Sequence, residues 1–195
     1  MSQLRQLALT PGWIYEIVVC TYVEGSPHAS PAGAWTHDLR SLCMELYDTS
    51  HTLSALLAAG EFVVDLPADA GTFFRALHDP SALHFERASV VSAPCLADAS
   101  ATIELTVTDA TPREGRTLVT GAVRHVTTRG EARPINRAEG LLVESLIVAS
   151  RSGLRPREDT LAVLAENARV VEKVAPGSDF AEAMSRLRDA LASES

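Results

Sequence analysis

The chain has 195 residues, of which 46% are apolar and 5% aromatic, with a formal net charge of −8. This length fits one domain with an appendage, and the apolar fraction is sufficient for a buried core. The acidic balance and the few aromatic residues argue against a nucleic-acid-binding surface, and no run of about 18 apolar residues predicts a membrane span. The three cysteines are widely spaced and the N-terminus is too polar for a signal peptide, so we expect a cytoplasmic protein with reduced thiols.

The first half of the chain predicts strands with short helices between them. Four segments have the composition or the period of β-strands: residues 13–23, 28–35, 42–47 and 62–66. Turn residues at 24–27 separate the first two segments. Residues 53–57 have helical spacing and Gly60 ends that helix, whereas Asp69 is expected to cap a second helix that carries Phe73.

The second half predicts a β-hairpin followed by helices. Residues 101–108 alternate between apolar and polar side chains, as in a half-buried strand, and residues 118–126 are expected to pair with them through the loop 109–115. Pro134 precedes a predicted helix over residues 136–150, with these side chains inward: Leu141, Leu142, Leu146 and Ala149. Two last helices, separated by a Pro-Gly pair, carry the apolar stripes Thr160, Leu164, Ala168 and Val171, then Phe180, Met184, Leu187 and Leu191.

Antiparallel strands interrupted by short helices predict a mainly β fold with α-helices. A small closed or partly open β-barrel fits this pattern, because closing a sheet removes its exposed edges. The last forty residues predict a helical hairpin that packs on the barrel or on a partner. The predicted division is a barrel domain over residues 1–151 and a C-terminal helical extension over residues 152–195.

Polar side chains cluster where the first helix is predicted to begin. Thr49, Ser50 and Thr52 supply hydroxyl groups there, and His51 supplies an imidazole. A helix start presents unpaired backbone N–H groups and a partial positive charge, so added hydroxyls suit a phosphate group. The alternatives are that Ser50 or Thr49 caps the helix, which is the commoner role, and that His51 is an exposed surface histidine.

Several blocks of the sequence resemble the DUF447 family. In the family's order they are Glu16–Thr21, Ser30–Gly33, Leu46–Thr52, Phe62–Asp65, Pro134–Ala138 and Glu144–Arg151. The resemblance covers roughly residues 13–151 and implies an FMN-binding split β-barrel, related to flavin reductases and pyridoxamine-phosphate oxidases. It also implies a homodimer with FMN near the subunit interface, and a link to tetrahydromethanopterin-dependent one-carbon metabolism.

The resemblance implies two groups of cofactor-binding residues besides the cluster at the helix start. Ser30, Pro31, Ala32 and Gly33 are expected to place backbone N–H groups against the isoalloxazine ring, since Gly33 permits close approach; a barrel corner is the alternative. Asn136 and Arg137 follow Pro134 at another helix start. Arg137 is a candidate cation for a bidentate phosphate contact, and a structural salt bridge is the alternative.

The sequence departs from the family at the phosphate block and beyond it. The usual Ser-Arg-Thr or Ser-Lys-Thr block reads Ser50-His51-Thr52 here, Ala55 stands near the position of an Asn in the helix, and Asp65 replaces an Asn at a strand end. A mostly neutral imidazole is a weaker partner for a dianion than a permanent cation, and a carboxylate that faces a phosphate adds repulsion. These replacements predict FMN binding that is weakened, altered or lost.

Two functions follow from these observations. The first is an FMN-dependent oxidoreductase, in which the flavin supplies the hydride chemistry. The alternative is a non-catalytic split-barrel dimer that binds another small ligand or acts in assembly. No side chain identifies itself as a proton donor, so no catalytic residue is predicted. The six histidines lack metal-ligand spacing, so no metal site is predicted, and the cysteines are expected to be buried small apolar residues.

Overall fold

The structure, a computed structural model, describes residues 3–154 and 156–193. The described chain forms two compact units. The first comprises the residues up to Pro11 together with Tyr15–Ile135, and the second comprises Gly12–Ile14 together with the residues from Asn136 onward. The compact units therefore separate between Ile135 and Asn136, just before a helix that starts at Arg137, whereas the domain division at residue 151 stays a prediction.

The first unit is built on an antiparallel barrel. Its strands are β1 (Tyr15–Val23), β2 (Ser26–Trp35), β3 (Ser41–Tyr47), β4 (Glu61–Leu66), β5 (Phe85–Arg87), β6 (Pro94–Leu96), β7 (Ala101–Arg113) and β8 (Arg116–Thr128). The barrel closes in the order β1-β2-β3-β8-β7-β4, while β5 and β6 pair separately and β6 packs against β1 and β4. Helices α1 (His51–Ala59) and α2 (Gly71–His78) connect strands of this unit. The predicted barrel and its mainly β architecture are confirmed.

The barrel interior is filled by alternate side chains of its strands and by one face of α1. Phe62, Ile103 and Leu105 are fully buried, as is Leu56 of α1. Gly121 on β8 faces this core, because a Cβ atom built there would lie 2.7 Å from the Phe62 ring. The aromatic ring thus occupies the space that a side chain at position 121 would need.

One seam of the barrel is open. β2 pairs with β1 along Ser26–Ala34, but it pairs with β3 only where Ala34 faces Met44 and Trp35 faces Cys43. In the part of the chain that the structure describes, no other strand pairs with that edge of β2 before Ala34. Pro27 and Pro31 lie on this stretch, where a missing N–H is tolerated because the strand has a free edge. The open edge between β2 and β3 is called the seam below.

The β7–β8 hairpin differs from the prediction in two respects. Its turn is Glu114–Gly115 rather than a loop over 109–115, because both strands continue to the turn and Gly115 adopts a φ of 69°. The N-terminal half of β7 is buried on both faces rather than half-buried, since Glu104 is only 1% exposed. The reason is a covering loop: the Glu104 carboxylate accepts hydrogen bonds from the backbone N–H groups of residues 89, 90 and 91 at 2.9, 2.6 and 2.9 Å.

The second unit consists of helices α3 (Arg137–Ser150), α4 (Arg157–Val174) and α5 (Asp179–Ser193). Its core contains Ala138, Val171, Val174, Ala175 and Met184. Four residues of the predicted stripes belong to this core or pack against it: Ala168, Val171, Phe180 and Met184. The prediction for α3 is wrong at Leu146, which is 49% exposed, while Ser145 and Val148 are buried. Leu146 lies about 100° around the helix from Ser145, so the face that contacts α4 and α5 excludes it. No described helix is both long and apolar enough to cross a membrane.

Candidate functional site

Ser50 is the N-cap residue of α1, as its residue type predicts. It has extended backbone angles, and its Oγ accepts a hydrogen bond from the Leu53 N–H at 3.1 Å, so the capping role is confirmed. The Ser50 N–H donates to the Tyr47 carbonyl at 2.9 Å, which closes the turn from β3 into the helix. A hydroxyl that accepts one hydrogen bond still carries a proton to donate. Capping therefore leaves Ser50 able to donate to an anion at the helix start.

Thr52 and His28 form a contact between α1 and β2 at the seam. Thr52 is 2% exposed, and its Oγ1 lies 3.1 Å from Nε2 of His28. Burial, and secondarily the nearby His51, lower the pKa of His28 below its ordinary value of 6.5. His28 is therefore neutral at neutral pH and suited to the Thr52 contact. Thr49 and His51 are exposed at the same helix start.

The segment Ser30–Gly33 lies in the middle of β2 and forms part of the open edge. Its residues pair with β1 from Val19 to Glu16, so the segment is a continuous strand and not a barrel corner. Antiparallel strands direct successive pairs of backbone groups alternately to their two neighbours. Since β3 does not pair with this stretch, backbone groups here face the seam. The contact between His28 and Thr52 thus brings the start of α1 next to β2, the strand that carries Ser30–Gly33.

Asn136 and Arg137 belong to the second unit. Oδ1 of Asn136 accepts a hydrogen bond from the Ala138 N–H at 2.8 Å, and Nδ2 donates to the carbonyls of Ile14 and Val174, both at 2.9 Å. The Asn136 side chain therefore caps α3 and joins Ile14 to the end of α4. Arg137 is the first residue of α3. The part of both residues in cofactor binding stays a prediction.

Asp65 is a buried structural carboxylate. It is fully buried, and its oxygens accept hydrogen bonds from the Thr102 hydroxyl at 2.7 Å, the Leu96 N–H at 2.7 Å and the Cys20 thiol at 3.4 Å. Burial raises the pKa of Asp65 to about 6, although these hydrogen bonds act in the opposite direction. Burial and the adjacent Asp65 also raise the pKa of the Cys20 thiol, so it is not an activated nucleophile. The repulsion expected of a carboxylate that faces a phosphate does not arise, because the Asp65 oxygens point to these interior partners.

The cysteines otherwise behave as the sequence predicts, with one exception. Cys95 is buried like Cys20, while Cys43 is half-buried on β3 with its Sγ 3.8 Å from the Thr120 hydroxyl. All three are free thiols. Among the residues that the structure describes, no group of three or more His, Cys, Asp or Glu side chains is arranged to hold a metal ion.

A cluster of charged and aromatic side chains beside the start of α1 was not predicted. The Arg116 guanidinium lies 4.5 Å from the centre of the Tyr47 ring and donates to the Tyr47 hydroxyl at 3.0 Å. Glu45 contacts Arg113 at 3.2 Å and Arg116 at 3.6 Å. The prediction missed this cluster because it placed residues 113–115 in a long loop. The tight turn places Arg116 opposite Arg113, and the register of β3 with β8 places it opposite Tyr47.

The barrel with an open seam defines the class of fold, which is that of the split-barrel flavin reductases. The sequence comparisons then give the family: the chain belongs to the DUF447 family. Residues 15–131 match "Protein of unknown function (DUF447) N-terminal domain", and residues 136–189 match "Protein of unknown function (DUF447)". No curated protein matches the chain.

Solved structures with the same fold include a member of this family. The FMN-bound DUF447 protein MM1853 from Methanosarcina mazei is 21% identical, with 96% of this chain and all of that chain covered and a TM-score of 0.58. A homologue of nitrilotriacetate monooxygenase component B from Mycobacterium thermoresistibile is 20% identical over 62% of this chain and 73% of that one, with a TM-score of 0.54. The flavin reductase PheA2 is 18% identical over 60% and 81% of the two chains, with a TM-score of 0.52. At these identities the likeness establishes the fold.

Proposed function

We propose that this chain is an FMN-binding flavoprotein whose cofactor lies at the seam. The observation that carries the proposal is the meeting of the unpaired β2 edge with the start of α1, held together by the 3.1 Å contact between His28 and Thr52. The similar family member from Methanosarcina mazei is described as FMN-bound. The chain covers the full length of that protein, which supports carrying its ligand over.

The donor groups at the seam fit the parts of FMN. The first N–H groups of α1, the Ser50 hydroxyl and the His51 imidazole are all donors, as a phosphate monoester requires. The backbone of Ser30–Gly33 offers hydrogen-bonding groups to the edge of a flat ring. Bound FMN would supply hydride chemistry, while the chain binds and orients the cofactor. We therefore propose Ser30–Gly33 and Thr49–Thr52 as its binding residues, with Asn136 and Arg137 as candidates from the sequence.

The proposal extends to reaction class and setting. We propose an FMN-dependent oxidoreductase, supported by the fold that the chain shares with flavin reductases. Its proposed context is tetrahydromethanopterin-linked one-carbon metabolism, supported by membership of the family. A cytoplasmic setting is supported by the three free cysteines.

A homodimer is part of the proposal and has support from the surface of α3. Val143, Leu146 and Ile147 are 53%, 49% and 38% exposed on this helix, and Leu154 just after it is 85% exposed. Neighbouring exposed apolar side chains mark interaction surfaces in soluble proteins. Sedimentation at micromolar concentration is expected to give the mass of a dimer, and a monomer at that concentration would refute this part of the proposal.

Flavin content after purification tests the function. We expect the protein to retain FMN from cells or to take it up stoichiometrically, seen as a visible flavin absorption band and as FMN in the released cofactor. A colourless protein that fails to take up added FMN would contradict the proposal. That outcome would favour the non-catalytic split barrel, for which His51 in place of a permanent cation is the supporting observation.

A further inference from the structure

We propose that Arg116, at the β7–β8 turn, is the permanently charged side chain that binds the phosphate group of the flavin. Helix α1 has no lysine or arginine that could do so in this chain. The inference rests on the proposed function and assigns a phosphate-specific residue to the same site. A histidine at position 51 leaves the start of α1 without a permanently charged side chain. A guanidinium is always charged and its forked donors match phosphate oxygens.

The strand register places Arg116 next to the start of α1. Arg116 pairs directly with Tyr47, the last residue of β3, and the Tyr47 carbonyl accepts the Ser50 N–H at 2.9 Å. Both neighbours of Arg116 contact the same turn: the Gly115 carbonyl accepts the Asp48 N–H at 3.3 Å, and the Thr117 hydroxyl donates to the Asp48 carboxylate at 2.8 Å. These contacts fix the backbone of Arg116 beside the turn that leads into Ser50.

The side chain of Arg116 is held loosely enough to accept an anionic partner. It is 41% exposed, and its hydrogen bond within this cluster goes to the neutral hydroxyl of Tyr47. Its approach to the Glu45 carboxylate is 3.6 Å, whereas Arg113 makes the shorter contact of 3.2 Å to that group. Glu45 is therefore shared between Arg113 and Arg116, and the Arg116 guanidinium, with its five N–H groups, keeps donors for a further acceptor. Packing against the Tyr47 ring limits the orientations of the guanidinium, which lowers the entropy lost on binding.

Two other arginines of the barrel unit, Arg75 and Arg129, have partners elsewhere in the fold. Arg129 donates to Thr102 at 3.1 Å and to Glu86 at 3.2 Å, and Arg75 donates to Thr72 at 2.9 Å and lies 3.6 Å from Asp98. The carboxylates whose negative charge would repel a phosphate near Arg116 are Glu45 and Asp48. Removing the charge of Glu45 should therefore strengthen phosphate binding, whereas removing that of Arg116 should weaken it.

The test measures the affinities of FMN and riboflavin for the wild type and for matched variants, because the two ligands differ only in the phosphate. We expect Arg116→Ala to lower FMN affinity about 10- to 100-fold, the range of a charge-assisted hydrogen bond, and to leave riboflavin affinity within about twofold. Arg116→Lys should recover part of the loss. Glu45→Gln should raise FMN affinity several-fold. Arg124→Ala, an exposed arginine further along β8, is the control and should change neither affinity.

Riboflavin affinity also reports whether each variant keeps its fold. If the wild type prefers FMN and Arg116→Ala keeps that preference unchanged, the assignment of Arg116 is wrong while the proposed function stands. If the wild type binds neither flavin, the proposed function fails and this inference fails with it. A second measurement is how strongly FMN affinity depends on salt concentration. This dependence should become weaker in Arg116→Ala and stay the same in Arg124→Ala. An unchanged salt dependence in Arg116→Ala would also overturn the assignment.

Discussion

The two sides of the barrel use polar side chains in opposite ways. On the closed side, β4, β7 and β8 pair along their lengths, and the carboxylates of Asp65 and Glu104 are buried with backbone N–H groups as partners. On the seam side, β2 leaves β3 after two residue pairs, and His28 of β2 contacts Thr52 at the start of α1. The closed side thus satisfies its polar groups internally, whereas the seam presents groups that still have donors for a ligand.

This difference separates structural carboxylates from functional donors. Asp65 stands where the family has an asparagine, and the sequence predicts that its charge weakens the cofactor site. In the structure the Asp65 carboxylate instead contacts β6 and β7 in the interior. Substitutions on the closed side are expected to change the free energy of unfolding and not flavin affinity. Substitutions at the seam should do the reverse.

Glu104→Gln should give the largest effect on the closed side. Three backbone N–H groups converge on this carboxylate, and an amide offers only one acceptor oxygen to them. We expect a loss of about 3–4 kcal/mol in the free energy of unfolding, measured by urea denaturation. Glu61→Gln is the matched control, because Glu61 accepts only the Ser92 N–H in this loop, and it should cost about 1 kcal/mol or less. Equal losses in the two variants would show that Glu104 does not hold the loop.

Asp65 should make stability fall as the pH rises from about 4 to about 7. The pKa of Asp65 is about 6 in the folded protein, against 3.8 for an ordinary aspartate. The folded state therefore binds this proton more tightly, and the stability that this provides is complete below pH 3.8 and is lost as the pH rises through about 6. The change amounts to roughly 3 kcal/mol. Unfolding of the wild type and of Asp65→Asn, measured side by side across this range, isolates the titration. A stability difference between them that is independent of pH would contradict the account.

Gly121→Ala tests how tightly the closed side is packed. The added methyl would meet the buried Phe62 ring at 2.7 Å and Leu105 at 3.0 Å, so we expect a loss of about 2 kcal/mol. Gly140→Ala on α3 is the control, since nothing lies within 4 Å of its Cβ position and alanine favours helix. The midpoint temperature of thermal unfolding should therefore fall in Gly121→Ala and stay the same or rise in Gly140→Ala. A neutral Gly121→Ala would mean that the core has room beside Phe62.

The smallest expected effect is at the seam. The pKa of His28 lies below 6.5 because of burial and then of His51, so His51→Ala should raise it without restoring the ordinary value. An NMR titration of the imidazole measures this directly. His84→Ala, at an exposed histidine outside the seam, should leave the His28 titration unchanged. A His28 pKa that is the same with and without His51 would place the two rings too far apart to share a ligand.

The sequence was sufficient for features that depend on local chemistry. Ser50 caps α1 and Gly60 ends it in the left-handed conformation, as their residue types predict. The sequence was insufficient where partners are distant along the chain. The burial of Glu104 depends on a loop some fifteen residues earlier, and the inward face of α3 depends on α4 and α5. The Arg116 cluster was missed for the same reason, since it needs the register of β3 with β8.

The affinities of the wild-type protein for FMN and riboflavin decide whether the start of α1 and the adjacent seam bind the phosphate of a flavin. If the start of α1 and the adjacent seam hold the phosphate, FMN should bind at least about 10-fold more tightly than riboflavin, as expected for loss of a charge-assisted hydrogen bond. Equal affinities would contradict the phosphate assignment, and the absence of binding by either flavin would contradict the proposed function.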